Sequence, residues 1–207
     1  MSATVIAYHR AMGRWEPDSR GRLAKAAMAL YAEQGFDQTT VAEIAARAGL
    51  TERTFFRHFT DKREVLFYGT ELLRDRLTRA VAEAPASATA MDAVSAAFEA
   101  AGAVLQENPE RVRLRDAIVS ANAELREREL IKLAALASAV AGALRDRGIP
   151  EPAATLAAET GVAVFKAAFA RWISEQCEQD LPGIIRESME ALKGMLTDRL
   201  VSSPSPP

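Results

Sequence analysis

Thr51, Glu52, Arg53, Thr54, Arg57 and His58 fall within eight consecutive residues, directly after the turn Ala48-Gly49-Leu50 and just before Phe59. These are residue types that read nucleic acid. A guanidinium such as Arg53 donates two parallel hydrogen bonds to guanine, whereas a carboxylate such as Glu52 accepts from cytosine or repels phosphate. Thr54 suits a base or the backbone. Donors suited to phosphate oxygens stand around this run: Arg20 and Arg22 ahead of it, Thr39 and Thr40 closer in, and Lys62 beyond. Such contacts set register rather than sequence preference. Phe55 and Phe59 are expected to fill the core of a small domain, while Phe56 is open to either role.

The elements that must position these residues are helical. No run of alternating β-branched residues bounded by turn pairs occurs, so the chain reads as all-α. A first helix is predicted after Pro17-Asp18-Ser19, with Leu23, Ala27, Leu30 and Gln34 at helical spacing, and it stops at Gly35. A second opens at Thr40, with Glu43 three residues on as a capping box, and ends at Gly49. Val41, Ile44, Ala45 and Ala48 lie on one of its faces. The third starts at Thr51, and a fourth is predicted from Asp61 and Glu64 to about residue 83, carrying Val65, Leu66, Leu72, Leu73 and Leu77. Two short helices joined by a glycine turn form a helix-turn-helix, whose second helix enters the major groove. The expected domain spans residues 18–66, with Pro85 marking the start of a second, residues 85–201. Asn108-Pro109, Gly148-Ile149-Pro150 and Leu181-Pro182-Gly183 divide the latter into about five helices of a bundle. Residues 1–14 and 202–207 are expected to be disordered.

Composition excludes several classes. The overall charge of −2 hides an asymmetry. Residues 1–82 hold 13 Lys and Arg against 10 Asp and Glu, and residues 83–207 hold 13 against 18. A phosphate-facing surface therefore belongs to the first part of the chain. The single cysteine, Cys177, precludes an intramolecular disulfide and reads as an inert small hydrophobe rather than an oxidant sensor. With only His9 and His58, no glycine-rich phosphate loop and no nucleophile elbow, the sequence reads as neither an enzyme nor a cofactor or metal protein. His58 is expected to hydrogen-bond locally or touch phosphate. Residues 153–173 are apolar nearly all round but include Glu159, Lys166 and Arg171, which argues against a membrane span. His9 and Arg10 interrupt any secretory leader, and a cytoplasmic location is expected.

Gly35-Phe36, Thr39-Thr40-Val41, Ile44-Ala45, Ala48-Gly49-Leu50-Thr51, Thr54, Arg57-His58-Phe59 and Lys62 match the TetR/AcrR signature in order and spacing, so residues 18–67 resemble that family. The resemblance implies a three-helix DNA-binding domain, a larger ligand-binding and dimerising domain, and a repressor released from DNA by a small molecule. Three positions depart from it. Phe56 stands where the family commonly has a tyrosine that contacts phosphate, Arg53 where many members have glycine, and Arg63 at an often acidic place.

For the second domain, the last two helices, about 151–177 and 182–201, are expected to pair with their symmetry mates in a homodimer. The DNA site is then double-stranded DNA with an inverted repeat. Phe98, Leu105, Ile118, Phe165, Phe169 and Trp172 are candidate liners of a pocket for a hydrophobic or amphipathic effector, although plain core residues look the same. The arginines at 111, 113 and 115 and at 126 and 128, interleaved with acids, read as a solvated face rather than an anion site. Two other readings stand beside the repressor: a DNA-binding regulator without a small-molecule effector, and an all-α enzyme or carrier.

Overall fold

The computed structural model describes residues 18–174 and 179–201, with residues 196–201 given by backbone alone. The expectations for residues 1–14, 202–207, His9 and Cys177 lie outside the described residues. The described chain is helical throughout and divides into two units between Tyr68 and Gly69.

In the first unit, α1 (Ser19–Gln34) opens on Asp18, whose side chain accepts from the Gly21 amide at 2.8 Å. It closes at Gly35, as the sequence predicts. α2 (Val41–Arg47) carries the expected capping box: Thr40 Oγ1 accepts from the Glu43 amide at 3.2 Å, and Glu43 accepts from the Thr40 amide at 2.8 Å. α3 (Glu52–His58) starts after Thr51, whose hydroxyl accepts from the Thr54 amide at 3.2 Å. Leu23, Ala27 and Leu30 of α1, Ile44 and Ala45 of α2, and Phe55 and Phe59 are buried together with Val65, Leu66 and Phe67. That set is the small core on which α3 rests.

The fourth helix differs from expectation. Asp61 does cap the segment, accepting from the Arg63 and Glu64 amides at 2.8 and 3.1 Å, but the segment it opens is a 3-10 turn, Glu64–Phe67. The α-helix begins only at Thr70, after Gly69. Val65, Leu66 and Phe67 serve the first core, whereas Leu77 and Val81 serve the second. A single continuous helix stripe does not supply both, and Gly69, a poor helix residue, marks the division.

Among the described residues the second unit is a bundle of six helices: α4 (Thr70–Glu83), α5 (Ala90–Leu105), α6 (Pro109–Ala121), α7 (Ala123–Asp146), α8 (Ala153–Ile173) and α9 (Leu181–Val201). Of the turn signals read from the sequence, Asn108-Pro109 acts as a cap, with Asn108 capping α6 and Pro109 in its first turn. The structure adds two caps that the sequence reading did not single out: a capping box of Thr89 and Asp92 on α5, and Asn122 on α7. Arg147 closes α4 from the far end of α7, donating to the carbonyls of Ala82, Ala84 and Pro85 at 3.2, 2.6 and 2.8 Å. α5 lies at the centre, packed against α4, α8 and α9.

α8 is long and apolar enough to cross a bilayer by length and composition alone. Its apolar side is instead consumed by the bundle, since Ala154, Ala157, Ala158, Gly161, Val162, Val164, Ala168 and Trp172 are buried against α5, α7 and α9. Gly161 allows the closest approach: a Cβ there would lie 2.5 Å from Phe98 Cε2 and 2.5 Å from Val94 Cγ1 of α5.

Glycine inside a helix normally costs about 1 kcal/mol relative to alanine, so replacement would ordinarily stabilise. At Gly161 the two core side chains must shift to admit the methyl, an overpacking cost of about 1 to 3 kcal/mol. Gly161→Ala is therefore expected to lower the urea midpoint of unfolding. Gly142→Ala on α7, where an added Cβ meets only the end of the Arg145 side chain at 3.7 Å, is expected to raise it. Equal shifts at both sites would refute the close approach.

Candidate nucleic-acid interface

The turn between α2 and α3 is built on the backbone. Gly49 adopts φ +67°, and the Leu50 amide donates back to the Ala45 carbonyl at 2.8 Å, so the chain reverses in three residues. Arg22 of α1 ties this turn down, its Nη2 donating to the Ala48 carbonyl at 2.5 Å. Arg22 thus caps α2 within the domain. The structure gives Arg22 a role inside the domain beside the one expected of it at phosphate.

α3 has an inner and an outer face. Phe55 is fully buried, and Phe59 just past the helix nearly so, as expected of core residues. Successive helical residues lie about 100° apart, so Glu52, Arg53, Phe56 and Arg57 turn outward together, and all four are exposed. Among the described residues, neither Arg53 nor Arg57 has a carboxylate partner. Thr51 is exposed and Thr54 half-buried, their hydroxyls 3.0 Å apart. His58 is half-buried, with Nε2 2.7 Å from Ser19 Oγ. Burial, then the cations of Arg57 and Arg20, hold its imidazole below the ordinary value, which favours the neutral form.

Two expected phosphate donors are corrected. Thr39 is 1% exposed, and its hydroxyl donates to the Gly35 carbonyl at 2.8 Å, so it closes the α1–α2 loop from inside. Lys62 Nζ donates to the carbonyls of Phe36, Asp37 and Thr39 at 2.8, 3.1 and 2.9 Å and lies 4.6 Å from the centre of the Phe36 ring. An ammonium has three donors, and all three are used. Lys62 is the lock of the loop that leads into α2. Tyr31 completes it, its buried hydroxyl donating to the Lys62 carbonyl at 2.6 Å.

Arg20 is exposed but not unattached, lying over the Phe59 and Tyr68 rings at 5.4 and 5.0 Å. Thr40 is exposed too, and its hydroxyl donates to Glu43 at 2.8 Å. Sequence reasoning missed the Arg47–Glu33 pair, two bonds of 2.5 Å joining α2 to α1. The partners stand 14 residues apart, a spacing that no helical periodicity flags.

In the second unit, four of the candidate pocket residues meet. Phe98, Phe165, Phe169 and Trp172 form a row of tilted rings 5.7, 5.9 and 6.0 Å apart, ending under the Arg113 guanidinium. Leu105 packs on the same core, and Ile118 is half-buried on α6. A cleft of about 180 Å³ lies elsewhere, between α7 and α8, lined by Ala137, Ser138, Ala141, Arg145, Thr155 and Glu159. None of the six candidates lines it. Arg115 pairs with Glu129, so one of the arginines read as solvated is held in an ion pair.

Known proteins resemble this chain in both units. The transcriptional regulator TcmR of Streptomyces glaucescens, an HTH-type protein, is 35% identical over 82 residues, 40% of this chain and 36% of TcmR. An uncharacterised HTH-type regulator of Mycobacterium tuberculosis is 39% identical over 49 residues, 24% of this chain and 26% of that protein. The chain thus matches only about a third or less of these relatives' length. Among solved structures, the fatty acid degradation regulator FadR of Bacillus halodurans superposes with a TM-score of 0.61 at 19% identity, covering 88% of this chain and 98% of that one. FadR of Thermus thermophilus, in complex with lauroyl-CoA, gives 0.57 at 24% identity, covering 91% and 99%. Those likenesses establish a shared fold. Residues 23–68 match the family described as bacterial regulatory proteins, tetR family, and residues 88–197, more than half of the chain, match the MftR C-terminal domain of the TetR_C_14 family. The helix-turn-helix and the bundle that follows it in the chain thus agree in assigning the chain to the tetR family of bacterial regulatory proteins.

Proposed function

We propose that this protein is a transcriptional repressor that binds an inverted-repeat operator as a homodimer and is released by a small, largely apolar ligand. The observation that carries the DNA-binding part is the outer face of α3. It presents Arg53 and Arg57 without carboxylate partners among the described residues, whereas Arg22 and Lys62 are bound within their own domain. In this reading Arg53 donates to guanine in the major groove, and Glu52 accepts from cytosine. Thr40, Thr51, Thr54, Arg57, His58 and Arg20 serve phosphates or neighbouring base edges.

Support for a homodimer comes from α8 and α9. Leu156 and Met195 are largely exposed, and Ala163, Ala167, Ala170, Ala191 and Gly194 give small exposed positions at which a second copy can approach. Two copies related by a two-fold axis read half-sites about one DNA turn, ~34 to 36 Å, apart. In this reading the ligand parts the aromatic row Phe98–Phe165–Phe169–Trp172, whose rings close on one another without it, and meets the Arg113 cation at its end, a chemistry that suits an amphipathic anion. Acyl-CoA thioesters belong to that class, and structures of similar fold hold lauroyl-CoA and stearoyl-CoA. A ligand releases DNA only by binding the DNA-incompetent arrangement more tightly than the competent one. The reading also places the protein in the cytoplasm, with no catalytic role.

Selection of bound fragments from genomic DNA tests the whole proposal. An enriched palindrome is expected, with lauroyl-CoA then lowering affinity for it. DNA affinity left unchanged by acyl-CoA and by other apolar effectors would favour the effector-free regulator. Arg53→Ala is expected to weaken operator binding by about 1 to 3 kcal/mol and to relax base preference at one position of each half-site. An equal loss on all sequences would demote Arg53 to a phosphate contact. Lys62→Met is expected to behave differently. It removes charged hydrogen bonds whose net worth after exchange with water is about 1.5 to 3 kcal/mol each, so thermal stability falls. The salt slope of DNA binding by the folded fraction changes by less than the ~0.9 that one lost phosphate contact gives. A reduced slope with unchanged stability would restore Lys62 to the DNA backbone.

A further inference from the structure

Of the four residues that α3 turns outward, three are charged and one is not. Phe56 keeps 55% of its surface exposed, with Glu52 and Arg53 one turn before it and Arg57 beside it. Its contact with the core is an edge. The Phe55 ring lies 5.5 Å away at 84°, while Phe55 and Phe59 already fill the space beneath the helix. Phe56 therefore adds little to the fold. A phenyl ring also has no donor or acceptor for a phosphate or a polar base edge. What it offers a partner is apolar area.

The major groove presents donors and acceptors at nearly every position, and its apolar group is the C5-methyl of thymine. Resting on the reading of α3 as the groove helix, we propose that Phe56 reads thymine by packing its ring on the C5-methyl of one thymine in each half-site. Arg53 and Phe56 are three residues apart, about 4.5 Å along the helix axis. Base pairs rise about 3.4 Å. The thymine therefore lies one or two base pairs from the guanine that Arg53 contacts, and the pair of side chains reads a short G and T element. A ring laid on a deoxyribose instead would give affinity without sequence preference.

Deoxyuridine removes the methyl and leaves base pairing and groove hydrogen bonds in place. The test measures the affinity of the full-length protein for its selected operator with each thymine replaced in turn by deoxyuridine. One thymine per half-site is expected to cost the wild type about fourfold, and about fifteenfold when both symmetric positions are replaced, from the loss of one buried methyl at each. Phe56→Ala is expected to bind both operators equally and to melt at the wild-type temperature, because the ring is exposed. Arg53→Ala is expected to keep the deoxyuridine penalty. Wild-type affinity that ignores every replacement, or a Phe56→Ala protein that keeps the penalty, overturns the thymine assignment while leaving the groove reading intact. No DNA binding at low salt overturns both.

Discussion

Burial of Phe55 decides what α3 can do. In a helix of seven residues, fixing one large side chain wholly inside the core fixes the direction of all the others, because each is rotated by about 100° from the last. Phe55 shares one small core with Ile44, Leu23 and the 3-10 segment, and Phe59 lies beside it. Glu52, Arg53, Phe56 and Arg57 are outward as a consequence. The outer face is therefore a product of packing, and its rigidity is that of the core beneath it.

The cations of the first unit divide according to the same logic. A guanidinium or ammonium near a helix end finds carbonyls left unpaired by the helix, and three of the cations are committed in this way or to a ring. Arg22 closes α2, Lys62 gathers three carbonyls of the 36–39 loop, and Arg20 stacks on Phe59 and Tyr68. Arg47 is held by Glu33. Arg53 and Arg57 stand on the outer face with no carboxylate paired to them among the described residues. α3 thus carries two exposed cations one turn apart, although the chain as a whole is slightly acidic.

Much of this fold is legible in the sequence because its boundaries are local chemistry. Thr40 with Glu43, Thr51, Asn108 with Pro109, and Gly49 each state a helix end within four residues, and each does so in the structure. The break at Tyr68-Gly69 is less visible, since Val65 to Phe67 and Leu73 to Val81 look like one apolar stripe until their separate cores are known. Thr39 and Lys62 escape sequence reasoning for a related reason. Their partners are backbone carbonyls 4 to 26 residues away, and a threonine or lysine carries no mark of which acceptor the fold will bring to it. The aromatic row of the bundle shows the same limit in reverse: residue type suggests that those rings belong together, but packing closes them on one another and leaves the open cleft between α7 and α8.

Chemical protection of the bound DNA tests most directly whether α3 occupies a major groove with its Arg53 face inward. Dimethyl sulfate methylates guanine N7 in the major groove and adenine N3 in the minor groove. On the selected operator, the predicted result is protection of guanine N7 in two major-groove segments about one turn, ~10 base pairs, apart. Guanine N7 left open across the whole bound site, with protection confined to adenine N3, would contradict it.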